Sequence, residues 1–160
     1  MKVAITGRYS VTSLSMPVLR QATPQDWSAV QDLLLASGLP VDDLGAEKLD
    51  GFLIAEHDNN TVGLIGLEIF GTVGLLRSLV VEKSARRTGL GGKLVGSLES
   101  AAEAAGIAEL WLLTIDAEQF FQRHNFEIVE RTAAPDEIRQ TDEFSSLCPD
   151  SAYLMRKTLD

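Results

Sequence analysis

A largely apolar run at residues 75–81 leads, through Arg86-Arg87-Thr88-Gly89-Leu90-Gly91-Gly92, into an alanine-rich stretch at 90–105. Strand, glycine turn and helix start in that order confine the chain to folds in which a helix leaves the end of a buried strand through a tight turn. The first N–H groups of a helix have no intrahelical acceptor and carry a partial positive charge, so an anion placed there meets donors that nothing else satisfies. Gly89 and Gly91 have no Cβ to hold such an anion away, and Arg86 and Arg87 can fork onto phosphate oxygens. The turn is not a nucleotide P-loop, because Gly91-Gly92-Lys93-Leu94 offers no hydroxyl for magnesium. Nor is it a dinucleotide fingerprint, which needs a third glycine and a following acidic residue. A diphosphate bound without metal suits it best; read as a plain polar turn, the same residues would carry no chemistry.

The surrounding charge favours the first reading. A net charge of -9 repels nucleic acid at long range, and on that acidic background Lys83, Arg86, Arg87 and Lys93 form a local basic group suited to a small polyanion. At 160 residues the chain predicts one domain with one core. No eighteen-residue apolar run predicts a membrane span. Residues 1–15 hold only the short apolar run Val3-Ala4-Ile5, and Met16-Pro17 offers a second start, so 1–15 is expected to be an extension and 16–160 the domain. The single cysteine, Cys148, allows no internal disulfide, which predicts a cytoplasmic protein.

Thr23-Pro24-Gln25-Asp26 predicts a helix start, with Thr23 as cap and Pro24 in the first position, and Gly38-Leu39-Pro40 a helix end. Strands are expected at 52–56 and 62–70, joined by a turn at Asp58-Asn59-Asn60, and at 75–82, 110–114, 126–131 and 152–159. Helices are expected at 90–105, with Leu90, Leu94, Leu98, Ala101 and Ala105 on one face, and at 117–124. Mixed strands and helices in this order predict an α/β layer fold around one central sheet.

Arg86-x-x-Gly89-x-Gly91, preceded by Leu79-Val80-Val81, resembles the acyl-CoA-binding motif of the GNAT acetyltransferases. Phe120-Phe121-Gln122-Arg123-His124-Asn125-Phe126 resembles the family's second segment, Phe-Tyr-x-x-x-Gly-Phe, with Phe121 in place of tyrosine and Asn125 in place of glycine. Asn enters the left-handed region more readily than other residues with side chains. The resemblance spans roughly residues 17–159 and implies a mixed central sheet with helices on both faces, splayed between its fourth and fifth strands. The pantetheine arm of acetyl-CoA would thread that gap. It assigns the coenzyme to Leu79, Val80, Val81, Arg86, Arg87, Thr88, Gly89, Leu90, Gly91, Gly92, Phe120, Phe121 and Arg123. The Leu79 N–H would be the donor to the acetyl oxygen, a device worth about 2.7–4 kcal/mol per donor in acyl transfer. A homodimer is a common assembly among relatives.

The reaction so implied is direct attack of an amine on the thioester, which needs a proton acceptor and something to protonate the thiolate. Phe121 cannot supply that acid, and a thiolate is a weak enough base to leave without it. Glu68, Glu118 and Asp116 are candidate bases, with Glu68 preferred; any one of them would more often be a solvated surface carboxylate. Strict strand alternation puts Arg77 on the same side as Leu79 and Val81, where its guanidinium would hold an anionic substrate group together with Ser78 and Thr114; a structural ion pair with Glu68 is the competing role.

Residues 66–81, Leu112-Leu113-Thr114 and Ile138-Arg139-x-Thr141-x-Glu143-Phe144-x-x-Leu147-Cys148-Pro149-x-Ser151-Ala152 resemble the arsenic-resistance branch of the superfamily. That implies acetylation of the α-amino group of arsinothricin, with phosphinothricin as a related acceptor, and resistance to the toxic amino acid. A non-catalytic acyl-CoA-binding module is the alternative suggested by Phe121; a protein N-acetyltransferase fits poorly, because Arg77 would oppose basic tails. Arg139 reads as a surface residue, His124 as a helix end, His57 as a strand end without a visible partner, Cys148 as packed, and Trp27 and Trp111 as core. Two isolated histidines and one cysteine predict no metal site.

Overall fold

A computed structural model describes residues 16–147 and 150–159. Within them, seven strands make one sheet: β1 Val18–Gln21, β2 Phe52–His57, β3 Asn60–Phe70, β4 Val73–Val81, β5 Glu109–Thr114, β6 Glu127–Val129 and β7 Tyr153–Thr158. Their spatial order is β1-β2-β3-β4-β5-β7-β6. The helices are α1 Trp27–Ala36, α2 Leu90–Ala104, α3 Glu118–Arg123 and α4 Asp136–Arg139, with shorter 3-10 turns and a π turn at Glu143–Leu147. The expected mixed sheet is present. The proposed extension 1–15 and Cys148 lie outside the described residues.

β1 is the strand that sequence reading misses. Four residues with a half-buried pattern give too little periodicity to register, and β1 is held by pairing with β2. Arg20 secures it further, its guanidinium reaching Asp26 at 2.8 Å and Glu56 at 3.0 Å. The β2–β3 turn falls where expected: Asp58 and Asn59 take φ of 52° and 65°, the left-handed pair that a two-residue hairpin requires.

Helices cover both faces. Leu90, Leu94, Val95, Leu98 and Ala102 of α2 pack against Ala55, Ile65, Leu67 and Leu76 on one side. Val30 and Leu34 of α1 pack against Phe52, Ile54, Leu64 and Val80 on the other. The predicted α2 face is corrected at its end: Ala101 and Ala105 are exposed. Val95 and Ala102 complete the buried stripe with Leu90, Leu94 and Leu98 instead.

β4 and β5 run parallel and pair only where Val73–Leu75 meets Glu109–Trp111. Beyond Leu75 the strands diverge, which opens the sheet at its centre.

Candidate active site

The opening is shaped by a β-bulge. Gly66 faces Arg77 and Leu64 faces Val80, so Ile65 stands opposite both Ser78 and Leu79. Ser78 sits at φ 61°, a left-handed conformation costing about 1–2 kcal/mol for a residue with a Cβ. The extra residue reverses the strand's alternation. Leu76, Leu79 and Val81 pack on the α2 side, whereas Val80 joins the α1-side cluster and Arg77 faces Asp43 and Glu143. Strict alternation therefore misplaces Arg77: it points away from Leu79 and Val81. A cavity of about 300 Å³ occupies the gap, with Ser78 and Leu79 on one wall, Leu113, Thr114 and Asp116 on the other, and Leu39, Phe121 and Glu143 around it.

At the far end of β4 the turn residues converge on a second concavity of about 310 Å³, lined by Val81, Arg86, Arg87, Gly89, Leu90, Gly91, Gly92, Phe120 and Arg123. α2 begins at Leu90, capped by Gly89 at φ 83°, a conformation open to glycine at little steric cost. Arg87 is also left-handed, at φ 65°. Arg86 is anchored by its Nε–H, which donates to the Val81 carbonyl at 2.9 Å, and the Thr88 hydroxyl donates to the Ala85 carbonyl at 2.6 Å. Thr88 thus holds the turn together from within. A Cβ on Gly91 would stand 3.3 Å from the Phe120 ring, so the glycine keeps α3 close to the helix start. Of the residues expected at the coenzyme, Leu79 and Phe121 line the central cavity, and the Val80 side chain is turned into the core.

Arg77 is 2% exposed, and its guanidinium makes four hydrogen bonds and an ion pair with Glu143. Nε–H donates to Ser78 Oγ at 3.0 Å. Both Nη atoms fork onto Asp43, Nη2 at 2.9 Å from Oδ1 and Nη1 on Oδ2. Nη1 also lies 3.4 Å from Glu68 and Nη2 3.2 Å from Glu143. Burial pulls the guanidinium down, and the Asp43 hydrogen bond with the charges of Glu143, Asp43 and Glu68 outweighs it, holding Arg77 above its ordinary value. The pairing with Glu68 expected of a structural residue is present. The stronger partner, Asp43, lies 34 residues away in the loop after α1, where strand-pair logic cannot find it.

The other candidates separate by place. Glu68 lines a neighbouring cavity of about 590 Å³ with Asp43, Lys48, Glu137 and Asp142 rather than the one that holds Leu79. Asp116 is exposed at the cleft rim, and Glu118 is half-buried in the first turn of α3. Thr114 lines the cleft while its hydroxyl oxygen accepts from the Ala117 N–H at 3.0 Å, a cap for the turn into α3. Arg139 donates to the carbonyls of Ala134 and Thr132. His124 ends α3 with its ring 4.7 Å from that of Phe120. His57 has the neighbour that sequence reading did not find: its Nδ1 lies 3.7 Å from Asp58. The buried carboxylate sharing the cleft with Leu79, Phe121 and the exposed Asp116 is Glu143, 5% exposed, which sequence reading left without a role. Among the described residues no three His, Cys, Asp or Glu side chains form a group that could hold a metal, and no helix is long and apolar enough to cross a membrane.

Residues 48–128 match the family model described as Acetyltransferase (GNAT) domain. An amino-acid acetyltransferase of Neisseria meningitidis is 30% identical over 92 residues, 56% of this chain and 20% of the relative. The chain thus spans about a fifth of that protein. An uncharacterized N-acetyltransferase of Chlorobaculum tepidum is 29% identical over 94 residues, 58% of this chain and 59% of the relative. Among solved structures, N-acetylglutamate synthase from Neisseria gonorrhoeae, complexed with coenzyme A and N-acetyl-glutamate, superposes with TM-score 0.79 at 21% identity over 91% of this chain and 36% of its own. Rv2747 from Mycobacterium tuberculosis, in complex with CoA and NLQ, superposes with TM-score 0.76 at 23% identity over 90% of this chain and 100% of its own.

Proposed function

Because the chain belongs to the GNAT acetyltransferase family, whose domain match takes in half of it, we propose that it transfers the acetyl group of acetyl-CoA to the α-amino group of a small amino acid by direct attack. One observation carries the reading: β4 joins the two concavities. The strand whose partner-free edge borders the central cleft ends in the turn that starts α2. A diphosphate held by the amides at Arg87–Gly92 would leave the pantetheine arm to run back along β4, where backbone groups that have lost their strand partner can bond it. The thioester would then reach Leu79, whose N–H faces the developing oxyanion. Arg86, Arg87 and Arg123 supply charge to the phosphates.

The acceptor class draws support from the relatives. The Neisseria gonorrhoeae neighbour is complexed with coenzyme A and N-acetyl-glutamate, and the partial sequence relative is named an amino-acid acetyltransferase. Within that class we propose arsinothricin as the acceptor the sequence favours, with phosphinothricin beside it, and resistance as the biological outcome. Arg77 can hold an arsinate or phosphinate only by giving up one of its carboxylates, since its guanidinium is already hydrogen-bonded to Ser78, Asp43 and Glu68 and ion-paired with Glu143.

The test is acetyl-CoA-dependent thiol release with a panel of glutamate, neutral α-amino acids, phosphinothricin and arsinothricin. Release with α-amino acids is expected, highest for arsinothricin. If acetyl-CoA binds and no member yields free CoA, the chain is an acyl-CoA-binding module and the enzyme reading falls.

A further inference from the structure

We infer that the Ser78 hydroxyl is a second donor to the oxyanion formed during acetyl transfer, acting beside the Leu79 N–H, an inference that rests on the reading of the chain as an amino-acid acetyltransferase. Ser78 lines the same cleft as Leu79 and Phe121 and is half-buried there. Its oxygen accepts the Nε–H of Arg77 at 3.0 Å. A hydroxyl keeps its own proton to donate after accepting such a bond, and among the described residues the Ser78 hydroxyl donates to no acceptor. The guanidinium occupies one side of the oxygen and turns the proton away from itself, and the cleft is the open side that Ser78 lines.

The same hydrogen bond strengthens the donor. A bond given by a cation draws electron density from the hydroxyl oxygen, and bonds in series polarise one another. Asp43, Glu68 and Glu143 offset the charge of Arg77 at a distance, so what reaches the cleft is the polarised hydroxyl rather than the cation. The other hydroxyls on the cleft lack this arrangement: Ser37 is exposed, and Thr114 accepts from a neutral donor, the Ala117 N–H. The backbone points the same way. Ser78 stands at φ 61° in the bulge opposite Ile65, a conformation glycine would hold at less steric cost. Strain of this kind gathers at functional sites, and what the Cβ brings here is an oxygen tied to Arg77 in the wall of the cleft.

In the step so assisted, the free-amine nitrogen of the acceptor forms a C–N bond to the thioester carbonyl carbon while the carbonyl π pair moves onto oxygen. That oxygen, now anionic, accepts from the Ser78 O–H and the Leu79 N–H, and no proton leaves Ser78. Return of the pair breaks the C–S bond. The departing thiolate takes the surplus proton from nitrogen, leaving the amide and CoA thiol. Because the charge on oxygen exists only along this path, the hydroxyl acts on the rate of transfer more than on the binding of either substrate.

The experiment is single-turnover acetyl transfer to an α-amino acid by wild type, S78A and S78G, with the KM for the amino acid, the affinity for acetyl-CoA and the thermal stability of each. Both variants remove the hydroxyl, and S78G also suits the left-handed backbone, so it folds even where S78A does not. Each should transfer about 100-fold more slowly or worse per folded molecule, with acetyl-CoA affinity and KM within about threefold of wild type, a split expected of a group that acts in the transition state. If Ser78 served only to satisfy Arg77, both variants would lose stability while the rate per folded molecule stayed at the wild-type value, and that result overturns the inference. A raised KM with an unchanged transfer rate overturns it as well, by making Ser78 a group that holds the acceptor. A wild-type protein that releases no CoA with any amine removes the acetyltransferase reading beneath it, a result distinct from an S78G enzyme as fast as wild type.

Discussion

Arg77 shows how a single side chain can carry two opposite meanings until its neighbours are known. Beside a cleft, an arginine on a strand suggests a bound anion; caged by Asp43, Glu68 and Glu143, it ties the loop after α1 and the π turn at Glu143–Leu147 to the sheet. Arg77→Met should therefore act first on stability, costing about 3–5 kcal/mol in urea unfolding, because it strands buried carboxylates. A change under about 1 kcal/mol would return Arg77 to a purely substrate-facing role. Arg20 makes a second, separable prediction. Its hydrogen bond to Asp26 holds that carboxyl at about 2, below its ordinary 3.8. A group so lowered stabilises the fold fully above about pH 4 and ceases to do so as pH falls through about 2. Asp26→Asn should accordingly be less stable than wild type at neutral pH, with the gap closing across that interval; a gap independent of pH would mean that the ion pair contributes nothing.

At the scale of elements, the turn before α2 and the bulge in β4 divide the work of holding a coenzyme. Gly91→Trp should abolish acetyl-CoA binding in calorimetry, since the Phe120 ring leaves no room beyond a Cβ; wild-type affinity would contradict the placement of the phosphates. Phe121→Tyr places a hydroxyl on a side chain that lines the cleft, so turnover should be unchanged or faster, and collapse would show that the ring packs where no hydroxyl fits. These elements differ in how legible they were. Arg86-x-x-Gly89-x-Gly91 and the left-handed Asn125, at φ 71°, were readable because each rests on neighbours within a few residues. The side on which Arg77 lies was not, because one left-handed serine inverts a two-residue period without a signature in the letters. Asp43 and Glu143 were hidden for a different reason. Each meets Arg77 only through tertiary folding, and each stands in a stretch whose local pattern says loop.

Across the whole molecule, an acidic body of net charge -9 gathers Arg86, Arg87 and Arg123 around the concavity into which β4 leads. That arrangement favours a compact polyanion over a nucleic acid, which the remaining surface repels. The fold supplies the geometry by failing to close its sheet: three residue pairs hold β4 to β5, and beyond them the strands part. A coenzyme spanning both concavities would brace that seam, so acetyl-CoA should raise the melting temperature, adding about 2.7 kcal/mol of stability at a hundredfold excess over Kd. The most direct measurement is a crystal structure with bound acetyl-CoA. The diphosphate oxygens are expected within hydrogen-bonding distance of the amides at Arg87–Gly92 and the thioester oxygen at the Leu79 N–H; phosphates lodged elsewhere, with the seam between β4 and β5 empty, would contradict the account.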